Sequence, residues 1–167
     1  MNELKKLDVG VANIGEIFNL SRDDDTNNDD DINFGNLRIP NYQRPYRWTT
    51  QNVNELIDDV VEAVNGGKSN YLIGNIILHK NKEYYDIVDG QQRLTTLALI
   101  IYSKENKEIG LLEKINPNSI SALKNNFNVI TKSKKIDEKF LEFLKEQVIV
   151  TYAITNDLDQ AFILFRS

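Results

Sequence analysis

Two short stretches hold most of the residues able to do chemistry. The first is VDGQQRLTT, residues 88–96. A β-rich run ends at Val88 and an apolar helical pattern begins near Gln91. This spacing puts Asp89 at the N-cap, where its carboxylate would accept a backbone N–H. Gly90 permits close backbone approach or an unusual φ. The first helical turn would present free N–H groups, a partial positive charge, the Gln91 and Gln92 amides, Arg93, and the Thr95 and Thr96 hydroxyls. Such a set suits an anion, and Arg93 could hold a phosphate through two parallel bonds. Asp89 and Gln92 also form a D-x-x-Q capping box, and capping alone would account for both. The GxxxxGK element of a Walker A loop is absent.

The second stretch is Arg38 followed by IPNYQRPYRW, residues 39–48. Pro40 and Pro45 favour an extended, rigid backbone. Tyr42, Tyr46 and Trp48 offer rings that can stack on a base, and Arg38, Arg44 and Arg47 offer planar forks for phosphates. A proline-stiffened strand with core aromatics is the alternative, and for Trp48 alone a structural role is the expectation. Usage supports directional chemistry. The chain has 14 lysines and six arginines, yet four arginines and three of the six glutamines fall in these two stretches.

The composition excludes several classes. Cysteine is absent, so disulfides and thiolate zinc sites are ruled out. His79 is the only histidine and is expected at the surface. The net charge is −5, but residues 1–31 alone sum to −6, leaving a body at +1. That is too near neutral for DNA binding by bulk charge. RDDDTNNDDD, residues 22–31, has no apolar side chain and reads as a mobile acidic loop. It lacks the glycine and closing glutamate of a calcium loop. A shared Mg²⁺ between Asp86 and Asp89 is conceivable on their spacing. Signal-peptide and membrane-spanning runs are missing, and a cytoplasmic protein is expected.

The elements that must position the two stretches follow from periodicity. Val53, Leu56, Ile57, Val60, Val61 and Val64 make a helical stripe. Asn52 with Glu55 looks like its capping box, and Gly66-Gly67 its stop. YLIGNIILH (71–79) and YYDIV (84–88) read as strands, antiparallel across the turn KNKE. LTTLALIIY (94–102) reads as a central helix, apolar on nearly every face. SISALKNNF is a short helix, IDEKFLEFLKEQ a helix and VIVTYAI a strand. DLDQAFILFRS starts a further helix with Leu158, Ala161, Phe162 and Phe165 on one face. It has no C-cap signal, which suggests a piece of something longer. The fold class is α+β, a small mixed sheet with flanking helices. The expected division is an N-terminal segment with the acidic loop (1–36), a motif-bearing core (37–104) and a mostly helical extension (105–167).

Taken together, IPNYQRPYRW, YLIGNIIL and YYDIVDGQQRLTTLALII resemble the N-terminal domain of GmrSD-type restriction endonucleases, of the ParB/sulfiredoxin-like superfamily. The resemblance runs from about Leu37 to Tyr102; the acidic 22–31 loop is not part of the family pattern. It implies a domain that binds and hydrolyses nucleoside triphosphates with its D-G-Q-Q-R element, in phage defence directed at modified DNA. It implies a nucleotide site of Gln43, Arg44, Gly74, Asn75, Gly90, Gln91, Gln92, Arg93 and Thr95. Asp89, Arg93 and Arg44 would be catalytic, and Mg²⁺ would arrive with the nucleotide. DNA would be engaged through the full-length protein, with an HNH nuclease domain outside this chain. The alternatives are a DNA-binding or nuclease module of the same superfamily, and a structural interaction domain with no ligand.

Overall fold

The computed structural model describes residues 6–20, 34–113 and 117–166. The acidic segment 22–31 lies outside the described residues. Five strands form one mixed sheet in the order β1-β5-β3-β4-β2. They are β1 (Leu7–Asn13), β2 (Leu37–Arg38), β3 (Tyr71–Asn81), β4 (Tyr84–Asp89) and β5 (Val148–Thr155). β3 and β4 form the expected antiparallel hairpin, with Asn81 opposite Tyr84. The turn narrows to Lys82-Glu83, with Lys82 at a φ of +58°. β5 runs parallel to β3 and antiparallel to β1, and β2 runs parallel to β4. The sheet is therefore α+β in class, as expected. β1 is an element that the sequence reading did not anticipate.

Helix α1 (Ile14–Ile17) follows β1 directly. Helix α2 (Thr50–Asn65) buries Val53, Leu56, Ile57, Val60 and Ala63. Burying each of the larger aliphatic side chains contributes about 1.5–3 kcal/mol. Its cap lies three residues earlier than expected. Thr49 is the N-cap and Asn52 its reciprocal partner, the Thr49 hydroxyl accepting from Asn52 N–H at 3.2 Å and Asn52 Oδ1 from Thr49 N–H at 3.0 Å. Asn52 with Glu55 therefore does not form the capping box. Helix α3 (Gln91–Glu105) has eight consecutive buried residues, Leu94 to Ile101, as a central helix must. Helices α4 (Ile120–Lys132), α5 (Glu138–Glu146) and α6 (Leu158–Arg166) complete the chain. Asp137 caps α5, accepting from Phe140 N–H at 2.8 Å.

The layers explain the strand sequences. Ile76, Leu78, Ile87, Val150 and Ile154 join α2, α3, α4 and α5 in the main core. On the opposite face Ile77 and Val88 pack with Ala161 of α6 in a small second cluster. Both faces of β3 and β4 are thus covered, which is why these strands read as continuous apolar runs. Among the described residues no helix is long and apolar enough to cross a membrane.

Candidate functional site

β4 runs into α3 through Asp89 and Gly90. Gly90 has a φ of +102°, and a Cβ there would stand 2.7 Å from Ile76 Cγ2. Only glycine suits that backbone and that contact. Gly90, not Asp89, occupies the N-cap, and no side chain caps the helix. The expected D-x-x-Q capping box is therefore absent. Its physical reason is that Gln92 is committed elsewhere and that α3 starts one residue too late for Asp89. The first-turn N–H groups of a 15-residue helix are thus left to an external acceptor. Asp89 itself is half-buried. Burial pushes its carboxyl above the ordinary carboxylate range, while the Gly90 N–H and Arg93 pull the other way.

Residues 39–48 form an arch against this turn. A turn closes first, with Gln43 N–H donating to the Pro40 carbonyl at 3.0 Å, and the chain then extends without strand partners. Gln43 Nε2 donates to the Val88 carbonyl at 2.9 Å and its Oε1 accepts from Gln91 Nε2 at 3.0 Å. Gln92 Oε1 accepts from the N–H groups of Arg47 at 2.8 Å and Trp48 at 3.2 Å, and its Nε2 donates to the Pro45 carbonyl at 3.2 Å. Tyr46 is buried, its hydroxyl 2.7 Å from Thr96 Oγ1 and accepting from Asn126 Nδ2 at 2.8 Å. Trp48 is half-buried against the core and also borders the cleft.

Arg93 lies across β3. Its Nη1 donates to the Ile73 carbonyl at 2.8 Å, and a Cβ on Gly74 would stand 2.6 Å from that same nitrogen. Gly74 thus gives the guanidinium room to lie on the strand. Arg44 and Arg47 are exposed on the arch.

A cleft of about 760 Å³ lies between the arch, β3 and the start of α3. It gathers Gln43, Arg44, Gly74, Asn75 and all of Asp89 to Arg93. Three arginines face one carboxylate there, since Arg47 joins Arg44 and Arg93. Thr95 is the one expected site residue outside it. The helix turns Thr95 inward, buried, toward a larger cavity of about 960 Å³ on the other side of the arch. In that larger cavity Arg38 is tied to Asp86, at 2.7 and 3.1 Å, so the charge of Arg38 is already matched, and Arg44 borders both spaces. The smaller cleft has the stronger claim to bind an anion because three arginines line it beside a helix N-terminus that no side chain caps.

Asp86 is buried, held by Arg38 and by Asn81 Nδ2 at 3.2 Å, and borders the larger cavity, whereas Asp89 borders the smaller cleft. Among the described residues no three His, Cys, Asp or Glu side chains cluster into an all-protein metal site. Arg38, stacked 4.1 Å over Tyr84, is likewise no free phosphate fork. His79 is half-buried on β3, opposite Asp86. Phe162 and Phe165 of α6 line the cleft, and Tyr42 meets Phe162 at a ring distance of 5.9 Å. Their i, i+3 spacing was the available signal, but it reads equally as a core stripe. Phe165 is in fact 52% exposed.

A family model described as the GmrSD restriction endonuclease, N-terminal domain, matches residues 15–167. No match was found among curated proteins.

Proposed function

Because this chain belongs to the GmrSD restriction endonuclease N-terminal domain family and is a module of a restriction system, we propose that its cleft binds a nucleoside triphosphate. One observation carries the reading: Arg44, Arg47 and Arg93 line one cleft together with the uncapped N-terminus of α3 and an aromatic side. Guanidinium forks and free N–H groups suit the phosphates. Tyr42, Trp48 and Phe162 offer faces on which a base can stack. Hydrolysis would draw on charge stabilisation, with the arginines countering charge that develops on the transferred phosphoryl group.

Mg²⁺ would come with the nucleotide. The donor set fits that role, since Asp89 is the cleft's single carboxylate and Mg²⁺ on nucleotides commonly takes one or two carboxylates plus phosphate oxygens. The ion would neutralise phosphate charge, and Asp89 would hold it from the end of β4. Engagement of DNA and the nuclease chemistry would belong to the full-length protein.

Titration calorimetry with Mg²⁺ and each of ATP, GTP, CTP and UTP tests the site. Arg44→Ala and Arg93→Ala should each remove about 1.5–3 kcal/mol, tenfold to hundredfold in affinity, and the double variant should abolish binding. Lys124→Ala, exposed on α4, is the control. A wild-type domain that binds none of the four at millimolar concentration overturns the proposal.

A further inference from the structure

The three motif glutamines have their side-chain amides occupied by protein. Gln92 accepts from two consecutive N–H groups and donates to a carbonyl, all within the arch. Gln43 and Gln91 bond one another, and Gln43 also holds the end of β4. An irregular segment has no ladder to satisfy its backbone, so side chains must do it. Here the N–H groups of three successive residues all go to side chains: Tyr46 to Ser119 Oγ at 2.8 Å, and Arg47 and Trp48 to Gln92.

We propose that Gln92 is a positioning residue, which fixes the arch backbone to the helix carrying Arg93 and so sets Arg44 and Arg47 in the cleft. The affinity part of this rests on the nucleotide reading above; the backbone part does not. Glutamine suits the task chemically. One group must accept twice and donate once from the first turn of a helix. Asparagine is a methylene shorter. Glutamate accepts but cannot donate to the Pro45 carbonyl, and it would add negative charge beside an anion site. The amide is also neutral, so the cleft keeps its positive balance.

The test compares wild-type, Gln92→Met and Gln92→Glu proteins by amide hydrogen exchange, and by titration with inorganic tripolyphosphate and Mg²⁺. In Gln92→Met the Arg47 and Trp48 amides should exchange at least tenfold faster, while the Leu97 to Ile101 amides in the core of α3 keep their protection. Tripolyphosphate affinity should fall about tenfold, and adding Gln92→Met to Arg44→Ala/Arg47→Ala should cost nothing further. Gln92→Glu keeps both accepted bonds and should retain protection at Arg47 and Trp48. This second variant decides the matter if the methionine protein does not fold. Unchanged exchange at Arg47 and Trp48 in Gln92→Met, or lost protection in Gln92→Glu, overturns the proposal. So does wild-type affinity in Gln92→Met. If wild type binds no tripolyphosphate, the titration with the four nucleotides decides the nucleotide reading, and the exchange result alone still decides the role of Gln92.

Discussion

Replacing Gly74 by alanine should separate the chemistry of the cleft from the fold. The new Cβ would stand 2.6 Å from Arg93 Nη1 and 3.7 Å from Arg93 Cδ and Cζ. The obstacle is the far end of a flexible, exposed side chain, which can swing away. What is lost is its bond to the Ile73 carbonyl, exposed to solvent and worth about 1 kcal/mol. A chain of this size loses about 2–4 °C in Tm per kcal/mol, so the drop should stay under roughly 5 °C. Gly90→Ala is the counterpart. Its φ of +102° is strained for any side chain, and its Cβ would meet Ile76 Cγ2 at 2.7 Å and the Asn75 carbonyl oxygen at 3.3 Å. Ile76 is fixed in the core, so strain and overpacking of about 1–3 kcal/mol each should both apply. Their sum, about 4 kcal/mol at mid-range, lowers Tm by roughly 8–16 °C. Thermal unfolding followed by Trp48 fluorescence reads both, and tripolyphosphate titration reads the site. Gly74→Ala should melt near wild type and bind about tenfold more weakly. A Gly74→Ala protein that melts as early as Gly90→Ala would refute the argument, because Arg93 would then be a support of β3.

Three further outcomes follow from the same geometry. Asp89 has its folded pKa raised, chiefly by burial, so its stabilising form is the protonated one, and that contribution is lost as pH rises through the folded value. Asp89→Asn should therefore melt above wild type at pH 7, with the margin shrinking as pH falls through the folded value and gone below about pH 4; equal melting at pH 7 would contradict this. Glu105 is pushed up by burial but held lower overall by Lys145 at 2.6 Å and Lys107 at 3.3 Å. Its contribution is present above the unfolded pKa and is lost as pH falls through the folded one, so Glu105→Gln should melt below wild type at pH 7 and match it under acid. Asn126→Ala strands the partly buried Trp48 carbonyl and removes a bond from Tyr46, and should cost about 2 kcal/mol in urea unfolding; a loss under about 0.5 kcal/mol would show that water replaces the amide.

Much of the framework was legible because its signals are local. The stripe of α2, the run Leu94 to Ile101 and the hairpin around Lys82 each declare themselves within 19 residues or fewer. The convergence of the arch with the D-G-Q-Q-R turn was legible through the family resemblance. Other features depend on partners far along the chain. β1 carries Leu7, Val9 and Val11 on its exposed side and buries only Ala12, so the apolar alternation of LDVGVAN does not mark its buried face. Asp89 matched a capping pattern, yet Gln92 found better partners in the arch, and a pattern of spacing cannot see that competition. Thr95 was counted with the first turn by proximity, but the 100° step per residue puts it about 200° from Arg93, on the side of α3 that borders the larger cavity. Phe162 and Phe165 reach the cleft only because α6 folds back over β3 and β4.

The placing of β5 bears on how the chain reaches this state. Leu7 pairs with Thr155, 148 positions later, and β5 separates β1 from β3. The hairpin of β3 and β4 can close early from contacts near in sequence, whereas β1 has no partner until residues 148–155 have been synthesised. Such non-local pairing slows folding, and meanwhile β3 offers an open edge to wrong partners. During refolding, pulse-labelled exchange should find the β3–β4 hairpin protected first and β1 last, and aggregation should peak in the interval between them. Simultaneous protection of β1 and the hairpin would mean that the sheet closes in one step.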